Sequence, residues 1–282
     1  MTRTVPEPAA FTPQWLALRE PADAEARSAA LLGPLRARLG HRVPAGSPLV
    51  VHDLGCGTGA MSRWLVPRLP GPQHWNLHDH DPDLARRAAE GTPASAADGS
   101  RVTAVVRDTD VGRLSAAVLA DASLVTASAL LDILTAGAVD ALAAACAGAG
   151  CPALLTLSVL GRVELTPAHP ADTEVTDAFN AHQRRGGLLG PDAVPTTTDA
   201  FARQGMTVRV HASPWRLAAG SPLLGEWLRG WVGAAREQRP DLAGRLDDYL
   251  ARRLAADAAG ELSATVHHAD VLALPRNRDT TS

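Results

Sequence analysis

The chain contains no lysine: all 27 residues of its combined lysine and arginine count are arginine. With abundant alanine and proline beside it, this looks like the coding bias of a GC-rich genome, and no function is read from it. Cysteine is sparse too. Cys56, Cys146 and Cys151 form no metal-ligand spacing, so no metal is expected, and an odd count argues against a disulfide framework. No apolar run is long enough to span a bilayer, and the first residues lack the apolar core of a signal peptide. The expected location is therefore the cytoplasm, with no membrane partner. A strong charge imbalance is also missing. The formal net charge is −3, which gives no general attraction to nucleic acid or to anionic membrane.

The chain has 282 residues and is 46% hydrophobic, enough to bury a full core as one large domain or one domain with a cap. Its organising stretch is Val50-Val51-His52-Asp53-Leu54-Gly55-Cys56-Gly57-Thr58-Gly59. Residues 49–54 read as a short buried strand running into an acid and three glycines at alternating positions. A strand ending in such a loop, followed by a helical pattern, builds a nucleotide-type pocket at the carboxyl end of a parallel sheet. Glycine allows unusual backbone angles there and lets a ligand approach the main chain.

Ahead of that loop, residues 1–13 read as a loosely docked arm. Residues 14–39 read as a helical pair, with Pro21 breaking the first part from the second and Asp23 placed to cap the second. Arg19, Glu20, Asp23 and Arg27 form a charged face. It is either solvated, or the pair lids the pocket and Arg19 or Glu20 reaches the ligand.

Beyond the loop, residues 60–66 form a helix that Pro67 ends or kinks. Strands follow at 73–79, 101–106, 123–127 and 152–159, with helices at 83–90 and 139–147. Asp79 lies 24 residues after Gly55, where a carboxylate accepts from the vicinal hydroxyls of a ribose. Asp81 is left to cap the helix starting at Pro82. Strands alternating with helices imply right-handed crossovers and a mostly parallel sheet.

Residues 160–190 interrupt that alternation and make the expected acceptor segment, with a helix at 173–183. A helix at 191–203 and a strand at 206–212 follow. Two helical patterns at 223–232 and 242–254 precede a last strand at 261–268, and residues 274–282 read as a disordered tail. Trp227 and Trp231, one turn apart, read as packing and not as a base-stacking platform, since nothing basic interleaves with them.

Three motifs carry a resemblance. Asp53-Leu54-Gly55-Cys56-Gly57-Thr58-Gly59 resembles the first motif of the class I S-adenosylmethionine-dependent methyltransferases. Asp79-His80-Asp81-Pro82 resembles their second motif, and Val106-Arg107-Asp108-Thr109 is similar to their third. The likeness covers roughly residues 45–160. Trp15-Leu16-Ala17-Leu18-Arg19-Glu20 and His267-His268-Ala269-Asp270-Val271-Leu272-Ala273 look like a bacterial subgroup of that family.

The resemblance implies S-adenosylmethionine as cofactor and S-adenosylhomocysteine as product. It places Gly55 and Gly57 near the methionine part, with Asp53 and Cys56 beside them. Asp79 falls on the ribose with His80 next to it, Asp108 and Thr109 at the adenine, and Ser128 toward the methyl donor. For the acceptor, the candidates read from the residues themselves are Arg19, Asp132, Glu164, Asn180 and Arg184. His182 is the preferred proton acceptor, because histidine titrates near neutral pH.

Two other readings remain. Gly55-x-Gly57-x-x-Ala60 also satisfies a loose dinucleotide fingerprint, which would make the chain a nicotinamide-dependent oxidoreductase. Against this, a carboxylate at Asp53 repels a pyrophosphate and suits a cationic sulfonium ligand. A protein that holds the donor without turnover is the second. No Asn-Pro-Pro-Tyr type sequence follows the fourth strand, where Ser128-Ala129-Leu130-Leu131 stands, and this argues against nucleobase N-methylation.

The expectation is thus an α/β fold: a Rossmann-like, seven-stranded, mostly parallel sheet flanked by helices, with an N-terminal helical lid and a helical insertion before the last strand. Residues 1–44 would form the arm and lid, 45–160 the donor-binding core, and 161–282 the acceptor-facing part of one continuous domain. The partner is a small-molecule acceptor taken O- or N-methylated, nucleic acid is not expected, and the chain is expected as a monomer or homodimer.

Overall fold

A computed structural model describes residues 12–44, 46–107 and 115–276. At its centre lies β1 (Leu49–Leu54), buried at five of six positions. It runs parallel to β2 (Gln73–His78) on one side and β4 (Leu124–Ser128) on the other. β3 (Val102–Arg107) extends the sheet beyond β2, and β5 (Ala153–Thr166) beyond β4, both in parallel.

Parallel strands made of near-continuous apolar runs need cover on both faces, and helices supply it. α2 (Leu32–Arg42), α3 (Ala60–Leu65) and α4 (Pro82–Gly91) press Leu35, Leu39, Met61, Leu65 and Ala88 onto one face. α5 (Ala136–Ala149) and α7 (Ala193–Arg203) press Val139, Leu142, Cys146 and Phe201 onto the other. Strand residues divide between the two layers by parity. Leu124, Leu154 and Leu272 join the first, whereas Val125, Leu155 and Val271 join the second, as a period of two requires.

The far edge is antiparallel. β8 (Ser263–Leu274) inserts between β5 and β6 (Thr207–Ala212), giving the order β3-β2-β1-β4-β5-β8-β6. The dinucleotide-binding order instead sets a parallel sixth strand beside the fifth. A third apolar cluster lies under the overhanging ends of β5 and β8. It is built by α6 (Asp172–Gln183), α8 (Pro222–Gln238) and α9 (Ala243–Ala258) with the short β7 (Trp215–Leu217), which pairs with β8. α1 (Pro13–Ala26) lays Trp15, Leu18 and Ala22 on this cluster.

The α/β class, the mostly parallel sheet and the order of elements match the sequence reading. Four details differ. Pro21 does not break α1, because its fixed φ is helical and the cost is one missing backbone bond; the helix turns only at Arg27, with φ −54° and ψ 132°. Asp23 caps nothing: it is buried inside α1. β5 continues seven residues past the expected end at Val159, its outer half too exposed to read as a strand. The described sheet has eight strands, since β7 is too short to show alternation.

Gly59 is where the loop and helix layers touch. It has φ +87°, and a Cβ there would stand 2.9 Å from the Ala88 Cα of α4. Gly59→Ala would meet both a backbone penalty and a clash with main chain, and should lower stability by about 2 kcal/mol or more. Urea denaturation checks this, and an unchanged midpoint would show that α4 is not packed on the loop.

Candidate functional site

The strand order reverses between β1 and β4, and such a switch point opens a crevice beyond the carboxyl ends of the strands. Here the crevice is a cleft of about 130 Å³ lined by the loop after β1, the turn after β2 and the turn after β4. Asp79 ties the first two together. Its Oδ2 accepts from the Gly57 N–H at 2.8 Å and its Oδ1 from the Asp81 N–H at 3.0 Å. Asp81 caps α4, accepting from Asp83 and Leu84 N–H groups. His80 is exposed, its Nδ1 3.4 Å from Asp79 Oδ1. Cys56 also lines the cleft, with its thiol pushed far up by burial, so it is held as an unreactive neutral group.

Asp53 and Arg27 dominate the floor of this cleft. Asp53 is 1% exposed. Its Oδ1 accepts from Thr126 Oγ1 at 2.7 Å, while its Oδ2 has no partner among the described residues. Burial pushes its carboxyl up to about 7, against the Thr126 hydrogen bond and the charge of Arg27. Arg27, at the end of α1, is 4% exposed. Its Nη2 donates to Ser128 Oγ at 3.0 Å, and its Nε and Nη1 have no partner. Burial lowers its pKa, and its guanidinium lies 5.7 Å from the Trp64 ring centre. No ion pair joins the two among the described residues. Leaving opposite charges buried, close and incompletely bonded is costly, several kcal/mol per ion before compensation.

The backbone behind Arg27 is fixed from the far side of the sheet. Asp270 Oδ2 of β8 accepts from Ser28 N–H at 2.7 Å, and its Oδ1 from Leu157 N–H at 2.8 Å. Leu157 has φ +57° and Ala129 has φ +51°. Two non-glycine residues in the left-handed region at one place mark a backbone held by its surroundings.

Both strained residues border a second cavity, a chamber of about 450 Å³. Arg19, Ala129 and Ile133 line cleft and chamber alike, so the two spaces adjoin. The chamber wall is aromatic: Trp15, Phe179, Trp215, Trp227 and Trp231. Trp227 and Trp231 stack at 5.1 Å, Arg19 lies 4.9 Å from the Trp215 ring centre, and Trp215 Nε1 donates to Asp23 Oδ1 at 3.0 Å. Arg19 itself is clamped by Asp23, at 3.0 and 3.2 Å. Asp132 also lines the chamber. Its Oδ1 is inaccessible and unpartnered, and burial pushes its carboxyl up to about 6.

The structure thus brings Asp53, Gly55, Cys56, Gly57, Asp79, His80 and Ser128 to one cleft, and Arg19, Asp132, Asn180 and His182 to the adjoining chamber. Asn180 donates from Nδ2 to Gly161 O at 2.8 Å, and His182 Nε2 lies 3.0 Å from Glu237 Oε2. Asp108 and Thr109 fall outside the described residues, as does the expected tail beyond residue 276. Two residues are not where the sequence placed them. Glu164 is not among the residues lining either space: its carboxylate pairs with Arg162 and lies 3.4 Å from His267, and those two side chains line the chamber in its place. Arg184 is held in a two-pronged pair with Asp192, at 2.6 and 2.9 Å on the surface. Of the alternatives Arg19 and Glu20, Arg19 lines cleft and chamber, and Glu20 is paired with Arg63.

Asp23, Arg27, the chamber tryptophans and buried His268 were missed as site residues. For the first two a signal exists: Trp15, Arg19, Asp23 and Arg27 recur every four residues, which puts them on one helix face.

No family model matches the chain, and no curated protein matches it. Among solved structures it is similar to a cyclopropane synthase, MmaA2, from Mycobacterium tuberculosis, with a TM-score of 0.47, 13% identity, and 93% of this chain and 94% of that one covered. A methyltransferase from Thiobacillus denitrificans in complex with S-adenosylhomocysteine gives 0.45, 16% identity, and 94% and 99% coverage. One from Geobacter sulfurreducens, also with S-adenosylhomocysteine, gives 0.42, 17% identity, and 94% and 99%. The last two are S-adenosylmethionine-dependent methyltransferases; the likeness of all three to this chain is distant.

The raised carboxyl of Asp53 has a consequence for stability. Its folded value of about 7 stands above the ordinary 3.8, so the folded state binds the proton more tightly than the unfolded chain. The sign is therefore that stability is greatest below about 4 and falls as pH rises to about 7. Asp132 and Asp270, also raised by burial, act in the same sense. Urea midpoints of the unliganded protein should drop between about pH 5 and about pH 8, and drop less in Asp53→Asn. Equal drops in both proteins would contradict the burial of an unsatisfied carboxyl.

Proposed function

We propose that the chain is a methyltransferase that takes the methyl group of S-adenosylmethionine to a small-molecule acceptor. The observation that carries this is the unfilled pair in the cleft: a carboxylate oxygen of Asp53 and two N–H groups of Arg27, buried near each other and joined by nothing. An amino acid is the ligand chemistry that answers both, its ammonium on Asp53 and its carboxylate on the Nη1 end of the Arg27 guanidinium. A pyrophosphate fits poorly, because Asp53 repels it. Asp79, one hydrogen bond from the loop, retains a second lone pair on each oxygen for the vicinal hydroxyls of a ribose. Amino acid at one end and ribose at the other describe S-adenosylmethionine.

When bound, that donor supplies an already activated methyl group, so the protein's task is alignment. The turn after β4 would set the methyl carbon toward the chamber, because Ala129 and Ile133 border both spaces. Arg19, clamped by Asp23, closes the seam between them. In-line approach of the acceptor at near-contact distance then accounts for the acceleration, and α1 as a lid excludes water. The antiparallel β8 between β5 and β6 and the carboxylate at Asp53 both disfavour the dinucleotide reading.

Calorimetry with S-adenosylhomocysteine and methylthioadenosine tests this, since the second lacks the amino-acid part. Arg27→Met and Asp53→Asn should each weaken S-adenosylhomocysteine about 30-fold or more, the effect of truncating one partner of a buried charged hydrogen bond, and leave methylthioadenosine nearly unchanged. Asp79→Ala should weaken both. Tight NADH binding with no heat from S-adenosylhomocysteine would overturn the proposal.

A further inference from the structure

The chamber beside the donor cleft has a composition of its own. The whole chain holds only ten phenylalanine, tyrosine and tryptophan residues, and five of them line this one space. They come from four separate segments, α1, α6, β7 and α8, so no single helix periodicity explains their gathering. Aromatic walls receive flat apolar rings by stacking and edge contacts, and about 450 Å³ is the size of a small-molecule site.

The polar groups of this chamber differ in how far they are satisfied. Arg19 of α1 is bound to Asp23, Arg162 of β5 to Glu164, His182 of α6 to Glu237, and Glu226 of α8 to Arg229. His267 of β8 lies 3.4 Å from Glu164, and His268 is held neutral by burial. Asp132 is the carboxylate left over: no ion pair to it occurs among the described residues, and its Oδ1 has no hydrogen-bond partner. It sits in the short helical turn Leu131–Ile133, next to Ile133, which borders the donor cleft. His182 lines the chamber, but its ring is engaged by Glu237.

Resting on the donor reading above, we infer that the chamber takes an aromatic hydroxyl compound and that Asp132 accepts the hydroxyl proton as the methyl group transfers. A lone pair of the phenolic oxygen forms the new bond to the methyl carbon. The carbon–sulfur bond breaks, its electron pair stays on sulfur, and the product is the neutral thioether S-adenosylhomocysteine. The proton passes to the Asp132 carboxylate, so one positive and one negative charge vanish together. The acidity of phenols, with a pKa of about 10, is within reach of a carboxylate base, whereas an aliphatic alcohol is far less acidic. The buried carboxyl, raised to about 6, is a stronger base than an exposed one and is still ionised at neutral pH.

The test uses the full chain with 2-naphthol as probe. Tryptophan fluorescence reports binding to protein loaded with S-adenosylhomocysteine, and S-adenosylhomocysteine release reports methyl transfer from S-adenosylmethionine. Saturable quenching and turnover are expected. Asp132→Asn should keep the quenching and lower kcat near pH 7 by about 100-fold, the usual span for a lost general base. That deficit should shrink as pH approaches the phenol's own pKa, and Asp132→Glu should restore part of the rate. Gly230→Leu gives a second handle. Gly230 lines the chamber with no atom within 4 Å of an added Cβ, and it lies in α8, where leucine is the better helix former. This variant should fold, bind S-adenosylhomocysteine as wild type does, and lose the quenching. A protein that binds S-adenosylhomocysteine without naphthol quenching or turnover would overturn this inference alone. So would an Asp132→Asn rate equal to wild type, or a Gly230→Leu variant that still binds naphthol. Failure to bind S-adenosylhomocysteine would instead overturn the donor reading.

Discussion

A carboxyl group and a guanidinium are buried near each other in the same cleft with no ion pair between them. Asp53 is held within β1, its carboxyl pinned by Thr126 on the neighbouring strand. Arg27 cannot reach Asp53 because the chain behind it is fixed by Asp270, which grips Ser28 and Leu157 from β8. Folding therefore spends stability to keep two polar groups apart. On the proposed reading, a ligand with a positive and a negative end fills the gap and offsets that cost, which favours an amino acid over a phosphate.

The rest of the molecule serves that geometry. The parallel strands carry Asp53, Asp79 and Ser128 to one end of the sheet, and the tight contact of Gly59 with Ala88 sets the loop against α4. α1 does two jobs with two faces. Trp15, Leu18 and Ala22 anchor it to the third apolar cluster, while Leu16, Arg19, Asp23 and Arg27 close the cleft. The antiparallel β8 supplies the Asp270 anchor and, with β7, the floor on which the chamber tryptophans stand.

The donor cleft was legible in the sequence because local chemistry builds it. Asp53 through Gly59 and Asp79 through Pro82 are contiguous runs, and the cleft is lined by residues of both. The alternating core was legible because buried strands and capped helices leave periodic marks, such as Asp81-Pro82 at the start of α4. What escaped depends on distant partners. Pro21 reads as a break until the packing around α1 is seen. Glu164 and Arg184 read as acceptor ligands, yet each found a nearer opposite charge, as exposed side chains do. Trp15, Trp215, Trp227 and Trp231 are far apart in the chain, and each alone reads as core. Their common chamber exists only in three dimensions.

The most direct test of the account is a crystal structure with S-adenosylhomocysteine bound. The expected complex has the homocysteine ammonium within hydrogen-bond distance of Asp53 Oδ2, its carboxylate on Nη1 of Arg27, and the ribose hydroxyls on Asp79. The sulfur would face the seam between cleft and chamber at Ala129 and Ile133. A homocysteine tail directed away from Arg27, with Asp53 Oδ2 still unpartnered, would contradict it.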